Sequence, residues 1–270
     1  MKRIYAMYWS ATGTTKKVVS TIAETLAQLA GMPYEVIDFT LPVARQSAPC
    51  FEEHDMVIFG TPVYAGRVPN LLVKYLETIE GGGAHAIPVV VFGNRNFDDA
   101  LMELRNILEA DGFHTIAGAA FVGEHAFSTT LGVGRPDADD LQEARTFTGQ
   151  LWQKIQDRTY ETPVQVAGNE PVRPHYTPRD RAGNPINILK VKPKTHADLC
   201  DGCGVCVRVC PMGSIDAQDP TLVPGICIKC CACVKKCPTG AKYYDDAGYL
   251  YHKEELELAY ERRAENAAFL

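Results

Sequence analysis

Near its start the chain reads Ile4-Tyr5-Ala6-Met7-Tyr8-Trp9-Ser10-Ala11-Thr12-Gly13-Thr14-Thr15, and this stretch decides the fold of its first half. The first six of these residues are apolar or aromatic enough for a buried strand, and the next six form a turn rich in hydroxyl groups. Apolar residues then recur at spacings of three and four, at Val18, Val19, Ile22, Ala23, Leu26 and Leu29. The pattern predicts a strand, a tight turn and an amphipathic helix, which is the repeating unit of an α/β fold.

The same alternation continues along the chain to about residue 160. Further strands are predicted at 34–38, 56–59, 88–92 and 116–122, with helices near 69–79, 98–110 and 137–156. Nearly continuous apolar strands that alternate with helices indicate a parallel sheet covered on both faces. Five strands fit the doubly wound order 2-1-3-4-5. Residues 1–165 are therefore predicted to form an α/β domain with a five-stranded parallel sheet.

The turn after the first strand is a candidate phosphate site. Ligands of doubly wound sheets bind where the strands end, beside the point at which the strand order reverses. The turn contains Ser10, Thr12, Gly13, Thr14 and Thr15, and its backbone N–H groups and the positive end of the next helix suit a phosphate. The alternative is that the hydroxyl groups only cap the helix. Four hydroxyl groups within six residues favour the phosphate.

Two later turns also follow predicted strands and offer backbone donors beside an aromatic ring. Their candidate residues are Pro62, Val63, Tyr64, Gly93, Asn94, Arg95 and Phe97. Such loops suit a flavin, because stacking and amide hydrogen bonds position its flat, amphipathic ring. The alternative is that the two aromatic rings only pack at helix entrances. No G-x-G-x-x-G follows a strand, so direct nicotinamide binding has no support in the sequence.

Nine of the ten cysteines lie between Cys200 and Cys237, and eight of them form two runs of the pattern C-x2-C-x2-C-x3-C-P. The runs superpose with an offset of 27 residues, which indicates an internal duplication. In two-cluster ferredoxins, the fourth cysteine of each run ligates the cluster held by the other run. The spacing predicts one [4Fe–4S] cluster on Cys200, Cys203, Cys206 and Cys237, and a second on Cys227, Cys230, Cys233 and Cys210.

Zinc is the competing interpretation of part of this pattern. Cys203, Cys206, Cys227 and Cys230 lie at about the spacing of a zinc ribbon. That reading leaves the other four cysteines of the two runs without a site and gives no role to the prolines. The two remaining thiols, Cys231 and Cys50, are predicted to be packing residues.

The remaining segments divide the second half of the chain. Residues 166–193 contain five prolines, five basic residues and two acidic residues, which predicts a connector. Residues 194–246 are predicted to form a small α+β ferredoxin domain, and 247–270 a C-terminal helix.

Composition excludes several function classes. Of the 270 residues, 46% are hydrophobic, which suffices for a sizeable core, and no apolar run reaches the roughly 18–20 residues of a membrane span. No secretory signal pattern is present, so a cytoplasmic location is expected, where clustered cysteines bind metal rather than form disulfides. A net charge of −6 argues against nucleic acid as a partner.

The Ser-x-Thr-Gly-x-Thr turn at 10–15 and the two later loops resemble the flavodoxin family, which binds FMN non-covalently. More narrowly, the turn 12–15, the run 62–69 and Gly93-Asn94-Arg95 resemble the flavodoxin–ferredoxin fusion proteins of anaerobic prokaryotes. Gly123-Glu124-His125 and the run 134–137 share this resemblance. It implies an FMN-binding flavodoxin-like domain followed by a bacterial-type ferredoxin domain with two [4Fe–4S] clusters. Thr14 stands where most flavodoxins have Asn.

Clusters pass one electron at a time, whereas FMN takes up to two. The chain is therefore expected to be an oxidoreductase-type electron carrier, exchanging electrons with one-electron redox proteins such as a low-potential ferredoxin-type donor or acceptor. A homodimer is compatible with the sequence. One alternative is a reductase of a small organic acceptor such as a quinone, with His125 or Tyr64 as proton donor. Another is a redox sensor, although no basic recognition helix is present.

Overall fold

The computed structural model describes residues 1–270. The first domain contains, in chain order, β1 (Ile4–Tyr8), α1 (Thr14–Ala30), β2 (Tyr34–Asp38), a 3-10 helix (Pro42–Arg45), β3 (Met56–Pro62), α2 (Asn70–Leu76), β4 (His85–Phe92), α3 (Ala100–Ala110), β5 (His114–Thr115), β6 (Gly118–Val122) and α4 (Ala138–Asp157). The rest of the chain contains β7 (Lys194–Thr195), α5 (Val205–Arg208), α6 (Ala232–Lys235), β8 (Lys242–Tyr243), α7 (Ala247–Ala259) and β9 (Ala267–Phe269). None of the helices combines the length and apolar character needed to cross a membrane.

The main sheet has the order β2-β1-β3-β4-β6-β9, with the short β5 also paired to β4. All pairs among β1 to β6 are parallel. Alternation along β1 distributes its side chains between two cores. Tyr5 and Met7 belong to the core on one face, and Ala6 and Tyr8 belong to the core on the other face, which α1 covers. The sheet is buried on both faces, as the continuous apolar strands predicted.

The sequence of α1 explains which side of the helix is buried and where the helix ends. The buried side of α1 carries Val18, Ile22 and Leu26, which lie at helical spacing and are fully buried. The helix ends at Gly31, whose φ of 65° is left-handed and whose N–H donates to the carbonyl groups of the last turn. Glycine reaches this conformation at the lowest cost, so the helix stops there.

The structure corrects two sequence predictions. The fifth strand position is divided between β5 and β6, and β9 adds an antiparallel strand, so the sheet has seven strands rather than five. The tail 247–270 is a helix only as far as Ala259. Its last residues pair with β6, where Asn266 accepts a hydrogen bond from the N–H of Val122 at 2.9 Å. β9 thereby covers a sheet edge that would otherwise present unpaired backbone groups.

The cysteine-rich region has little hydrophobic core of its own. β7 and β8 form a two-stranded antiparallel sheet, and the one-turn helices α5 and α6 pack against each other. The separate core of this region consists of Cys206, Ile215 and Cys233. Cys230 and Ala232 belong instead to the core of the first domain. So small a region needs a bound metal group or a neighbouring domain for stability.

Candidate functional site

A cavity of about 690 Å³ lies where the parallel strands end. One wall consists of loops of the first domain, and the other consists of the connector, the loop before α6 and part of α7. Of the predicted flavin-site residues, the cavity is lined by Thr12, Thr14, Thr15, Pro62, Val63, Tyr64, Gly93 and Arg95. Ser10, Gly13, Asn94 and Phe97 do not line it. The volume lies within the range of about 300–1,000 Å³ that is usual for small-molecule and cofactor sites.

The start of α1 presents free donors to this cavity. No backbone N–H of residues 11–15 donates to a protein acceptor, and the first turn of the helix carries no acidic residue. Gly13 is the N-cap, with a φ of 103° and open space where a Cβ would stand. Free amides, a positive helix end and the threonine side chains at 12, 14 and 15 therefore fit a phosphate dianion.

Ser10 has a structural role in the same turn. Its hydroxyl oxygen accepts a hydrogen bond from the N–H of Lys16 at 3.0 Å, and its own N–H donates to Oγ1 of Thr40 at 2.8 Å. Lys17 turns away to donate to the carbonyl of Pro136. Ser10 therefore caps the start of the helix, as the alternative interpretation predicts, whereas the threonines at 12, 14 and 15 line the cavity.

The second loop brings an aromatic ring between the two domains. Tyr64 lines the cavity and meets Trp9 edge to face, with ring centroids 5.9 Å apart. Burial raises the pKa of Tyr64 well above its usual value, and the neighbouring thiols of Cys230, Cys231 and Cys227 raise it further. Tyr64 is therefore a neutral hydroxyl group and ring at physiological pH.

The third loop is divided between the cavity and the fold. Gly93 lines the cavity, and a Cβ there would stand 2.5 Å from Cδ2 of His125, so the close approach of these loops requires glycine. Asn94, with a left-handed φ of 65°, directs its amide to the carbonyl groups of Tyr260 and Arg262. Phe97 packs on Phe92 in the core. The contacts of Phe97 therefore fit the alternative interpretation, in which this ring only packs and does not contact a flavin.

His125 lines the cavity as an uncharged ring. Its Nδ1 accepts a hydrogen bond from the N–H of Phe127 at 3.1 Å, which leaves the proton of the neutral ring on Nε2. Burial, with smaller effects from His252 and Lys235, lowers its pKa to about 4. His125 is thus a hydrogen-bond donor at neutral pH rather than a store of a dissociable proton.

The sequence did not indicate the connector residues that close the cavity. The carboxylate of Asp99, 1% exposed, accepts hydrogen bonds from the backbone and side chains of Asn169 and Arg173 at 2.8–3.1 Å. The connector then places Tyr176 at the cavity, with the guanidinium of Arg95 4.5 Å from its ring centroid. The only sequence signal was the positive charge of the connector, which does not identify its acidic partner.

We expect Asp99→Asn to loosen the connector. The pKa of Asp99 is held below its usual value, chiefly by the side chain of Arg173, so its contribution is complete at neutral pH and is lost only as the pH falls below about 4. Loss of charge-assisted bonds should lower the free energy of unfolding by about 2 kcal/mol and speed proteolysis within 166–181. Chemical denaturation and limited proteolysis measure both effects. The exposed Asp157→Asn is the control, and an unchanged cleavage rate in Asp99→Asn would contradict the role.

A second prediction concerns acid stability. Burial, with a smaller effect from Arg95, lowers the pKa of His252 to about 4, below the ordinary value near 6.5. The neutral ring of His252 therefore contributes fully to the stability of the fold above about pH 6.5, and this contribution is lost as the pH falls through 4. Urea unfolding followed by circular dichroism should show a smaller loss of stability between pH 7 and 5 in His252→Gln than in the unchanged protein. The exposed His54→Gln should behave like the unchanged protein; equal pH slopes in all three would exclude the effect.

The eight repeat cysteines line two separate cavities. The distal set, Cys200, Cys203, Cys206 and Cys237, lines one. The proximal set, Cys210, Cys227, Cys230 and Cys233, lines the other, together with Cys231. Each cavity thus combines three cysteines of one run with the last cysteine of the other run, which is the grouping that the spacing predicts. The assignment of these residues as ligands is a proposal.

The donor sets fit clusters better than single ions. No three His, Cys, Asp or Glu side chains are grouped to hold a metal ion, whereas in a four-iron cluster each thiolate binds a different iron, so the sulfur atoms need not converge on one point. The distal cavity also contains the hydroxyl of Thr195, whose oxygen is buried and has no hydrogen-bond partner in the protein. Cluster sulfur would supply the acceptor that this hydroxyl lacks.

The two extra cysteines differ from each other. Cys231 is buried, with its sulfur 3.4 Å from the hydroxyl oxygen of Tyr249, as expected for a packing residue. Cys50 was also predicted to be a packing thiol, and this is wrong, because Cys50 is exposed and contacts Glu80. Burial raises the pKa of the Cys230 and Cys233 thiols to about 12, so a metal bound there would have to offset the desolvation of their thiolates.

Comparisons with known proteins match both halves of the chain. Residues 5–94 match the family model of the flavodoxin domain, and residues 193–216 match that of the 4Fe-4S binding domain. No curated protein matches the chain.

Three solved structures are similar to the first domain. A flavodoxin from the domain Archaea has 13% sequence identity and a TM-score of 0.40, over 57% of this chain and 99% of that chain. The Streptococcus pneumonia TIGR4 flavodoxin has 18% identity and a TM-score of 0.38, over 56% and 98%. The apo form of an NADH:FMN oxidoreductase has 16% identity and a TM-score of 0.40, over 57% and 90%.

A flavodoxin domain and a 4Fe-4S binding domain therefore follow each other in one chain. The first supports FMN binding and the second supports the binding of a [4Fe–4S] cluster. The 4Fe-4S match covers the first of the two cysteine runs, and a second cluster remains a proposal. With these two domains in this order, the chain matches a flavodoxin–ferredoxin fusion, an electron-transfer protein of the FMN and iron–sulfur type.

Proposed function

We propose that this protein passes single electrons between two [4Fe–4S] clusters and FMN within one chain, and so converts between one-electron and two-electron carriers. The distal cysteine set holds one cluster, the proximal set holds the other, and the large cavity holds FMN. The phosphate of FMN binds at the start of α1, and its ring lies between the loops of Tyr64 and Gly93. The cofactors supply the redox chemistry, and the protein supplies their spacing and their electrostatic surroundings.

One observation carries this proposal. Three consecutive residues, Ile226, Cys227 and Ile228, line both the large cavity and the proximal cavity. One of them is a proximal cysteine, so a cluster ligand would itself form part of the wall of the flavin site. A cluster and a flavin separated by one layer of residues can exchange electrons directly.

The order of the centres follows from the same geometry. The distal cavity shares no lining residue with the other two cavities. Cys206 of the distal set and Cys233 of the proximal set both pack in the small core with Ile215. Electrons therefore pass from the distal cluster to the proximal cluster and then to FMN, or in reverse. Cys203 is exposed, so the external one-electron partner protein exchanges electrons at the distal cluster.

Polar contacts hold the two domains in this arrangement. Nζ of Lys235, in α6, forms a salt bridge with Glu124 and donates to the carbonyl groups of His125 and Ser128. On another side, Arg45 donates to the carbonyl of Pro211. The Lys235 contacts connect α6 to the loop that lines the large cavity, and the Arg45 contact connects the segment after Cys210 to the first domain. Both support a fixed spacing of the proposed centres.

Rapid mixing of the anaerobic holoprotein with a one-electron donor, reduced methyl viologen, tests the proposal. Cluster bleaching should precede flavin reduction, and the flavin phase should have a rate independent of protein concentration, because that transfer is intramolecular. A flavin phase whose rate rises in proportion to protein concentration would contradict it.

A reductase of a small organic acceptor is the second candidate. Leu189 and Ile226 line the large cavity and are 78% and 65% exposed, so its rim would favour an apolar acceptor. Adding a soluble quinone to the reduced holoprotein separates the two candidates. Stoichiometric oxidation supports the carrier, and many turnovers with saturation by the quinone support the reductase.

A further inference from the structure

Lys242 is a buried cation without an anionic partner in the protein. The residue is 3% exposed, and its Nζ donates to the carbonyl of Pro220. No carboxylate forms an ion pair with Nζ, and its charge acts at longer range on Asp219 and on the thiols of Cys206 and Cys233. Burial of an ammonium group is costly unless an opposite charge compensates it. Deprotonated thiols or a bound anionic group must therefore supply the compensating negative charge.

The position of Lys242 indicates that partner. Lys242 lines the distal cavity together with the four distal cysteines. Thr195, whose hydroxyl oxygen is buried and unpartnered, lines the same cavity and pairs with Lys242 directly across β7 and β8. Residues paired across a sheet lie on the same face, so a cation and a hydroxyl group stand side by side at one cavity. Four thiolates and a cluster form an anion that matches both groups.

The internal duplication provides a comparison within the same chain. The offset of 27 residues that superposes the two cysteine runs also superposes Ile215 on Lys242. Ile215 is buried and lines the proximal cavity, just as Lys242 lines the distal cavity. Two equivalent positions therefore face the two cysteine sets with opposite character, one apolar and one cationic.

We propose that Lys242 is the buried counter-charge of the distal cluster and makes that cluster easier to reduce than the proximal one. The inference rests on the proposed function, since it requires a cluster at each cysteine set. One-electron reduction adds a negative charge to a cluster and moves no bond or proton, so a fixed positive charge stabilises the reduced form. Ile215 gives the proximal cluster no charge of its own; the charge of Lys242 also acts on Cys233, but Lys242 lines the distal cavity and not the proximal one. The electron is then held at the exposed distal end, where the partner protein exchanges it.

Redox titration of the anaerobic holoprotein, followed by electron paramagnetic resonance, tests this. Lys242→Ile gives the second repeat the isoleucine that the first repeat has at the equivalent position, 215. We expect it to lower the reduced-to-oxidised ratio of the distal cluster at least about tenfold at a fixed potential, which corresponds to ~59 mV for one electron. The potential of the proximal cluster should change less, so the separation between the two clusters decreases. Lys242→Arg keeps the charge and should restore the separation.

Ile215→Val is the matched control for packing at the equivalent position, and it should leave both potentials unchanged. A purely structural role of the lysine stem would alter stability in Lys242→Ile while the distal potential stayed the same, and that result would overturn the inference. Metal analysis distinguishes this failure from failure of the proposed function. About eight irons per chain with an unchanged potential rejects only the role of Lys242, whereas absence of iron rejects the clusters themselves.

Discussion

Replacing Cys227 by alanine is expected to remove the proximal cluster and to disconnect the flavin from the distal cluster. The iron content should fall from about eight to about four atoms per chain, because one of two four-iron clusters lacks a ligand. FMN should remain bound, because its phosphate site at the start of α1 is unchanged and Cys227 is one of many residues that line the large cavity. Rapid mixing with a one-electron donor should no longer show the concentration-independent phase of flavin reduction.

Cys231→Ala is the matched control for this substitution. Cys231 lines the same proximal cavity, and it is the thiol that the repeat leaves without a ligand position. Its replacement should preserve both the iron content and the fast flavin phase. Equal iron loss in the two variants would show that the ligand assignment within the proximal set is wrong.

Replacing Thr14 by aspartate is expected to abolish tight FMN binding without harming the fold. Thr14 is the first residue of α1 and lines the large cavity, among backbone N–H groups that have no protein acceptor. A carboxylate there interacts favourably with the helix dipole, so the helix is not destabilised. It also occupies the donors and repels the phosphate dianion. The Kd of FMN should rise at least about 100-fold, equivalent to ~2.7 kcal/mol.

Riboflavin provides the control, because it has the same ring and no phosphate. Its affinity, measured by flavin fluorescence, should change much less in Thr14→Asp than that of FMN. Thr21→Asp, at a half-buried position further along the same helix and outside the cavity lining, should bind FMN normally. Equal loss of FMN and riboflavin binding would mean that the substitution disturbs the ring site or the fold, and that the phosphate lies elsewhere.

Features encoded by neighbouring residues were visible in the sequence. The strand, turn and helix at 4–30 could be predicted because apolar spacing, a glycine and the hydroxyl groups lie within one short stretch. The grouping of the cysteines could be predicted because the repeat is itself a pattern of short spacings. Both features are indicated by the spacing of residues within short stretches of the chain.

Features that depend on distant parts of the chain were not visible. Asn94 and Gly93 are adjacent, yet Asn94 serves the segment near Ala264, 170 residues later, and only Gly93 faces the cavity. Asp99 anchors a connector 70 residues away, and β9 pairs with a strand that ends at Val122. The burial of Lys242 is equally hidden, because the repeat shows only that it replaces an isoleucine. Contacts between distant parts of the chain determine each of these features, and no local sequence pattern indicates such contacts.

The number of electrons that one chain accepts is the most direct test of the account. In an anaerobic titration with dithionite, followed by absorbance, the holoprotein should take up about four electrons per chain: two at FMN and one at each of two clusters. Uptake of about three would mean a single cluster, in line with the one cysteine run that the family model matches. Uptake of two electrons without a flavin spectrum would contradict the combination of FMN and clusters on which the proposed function rests.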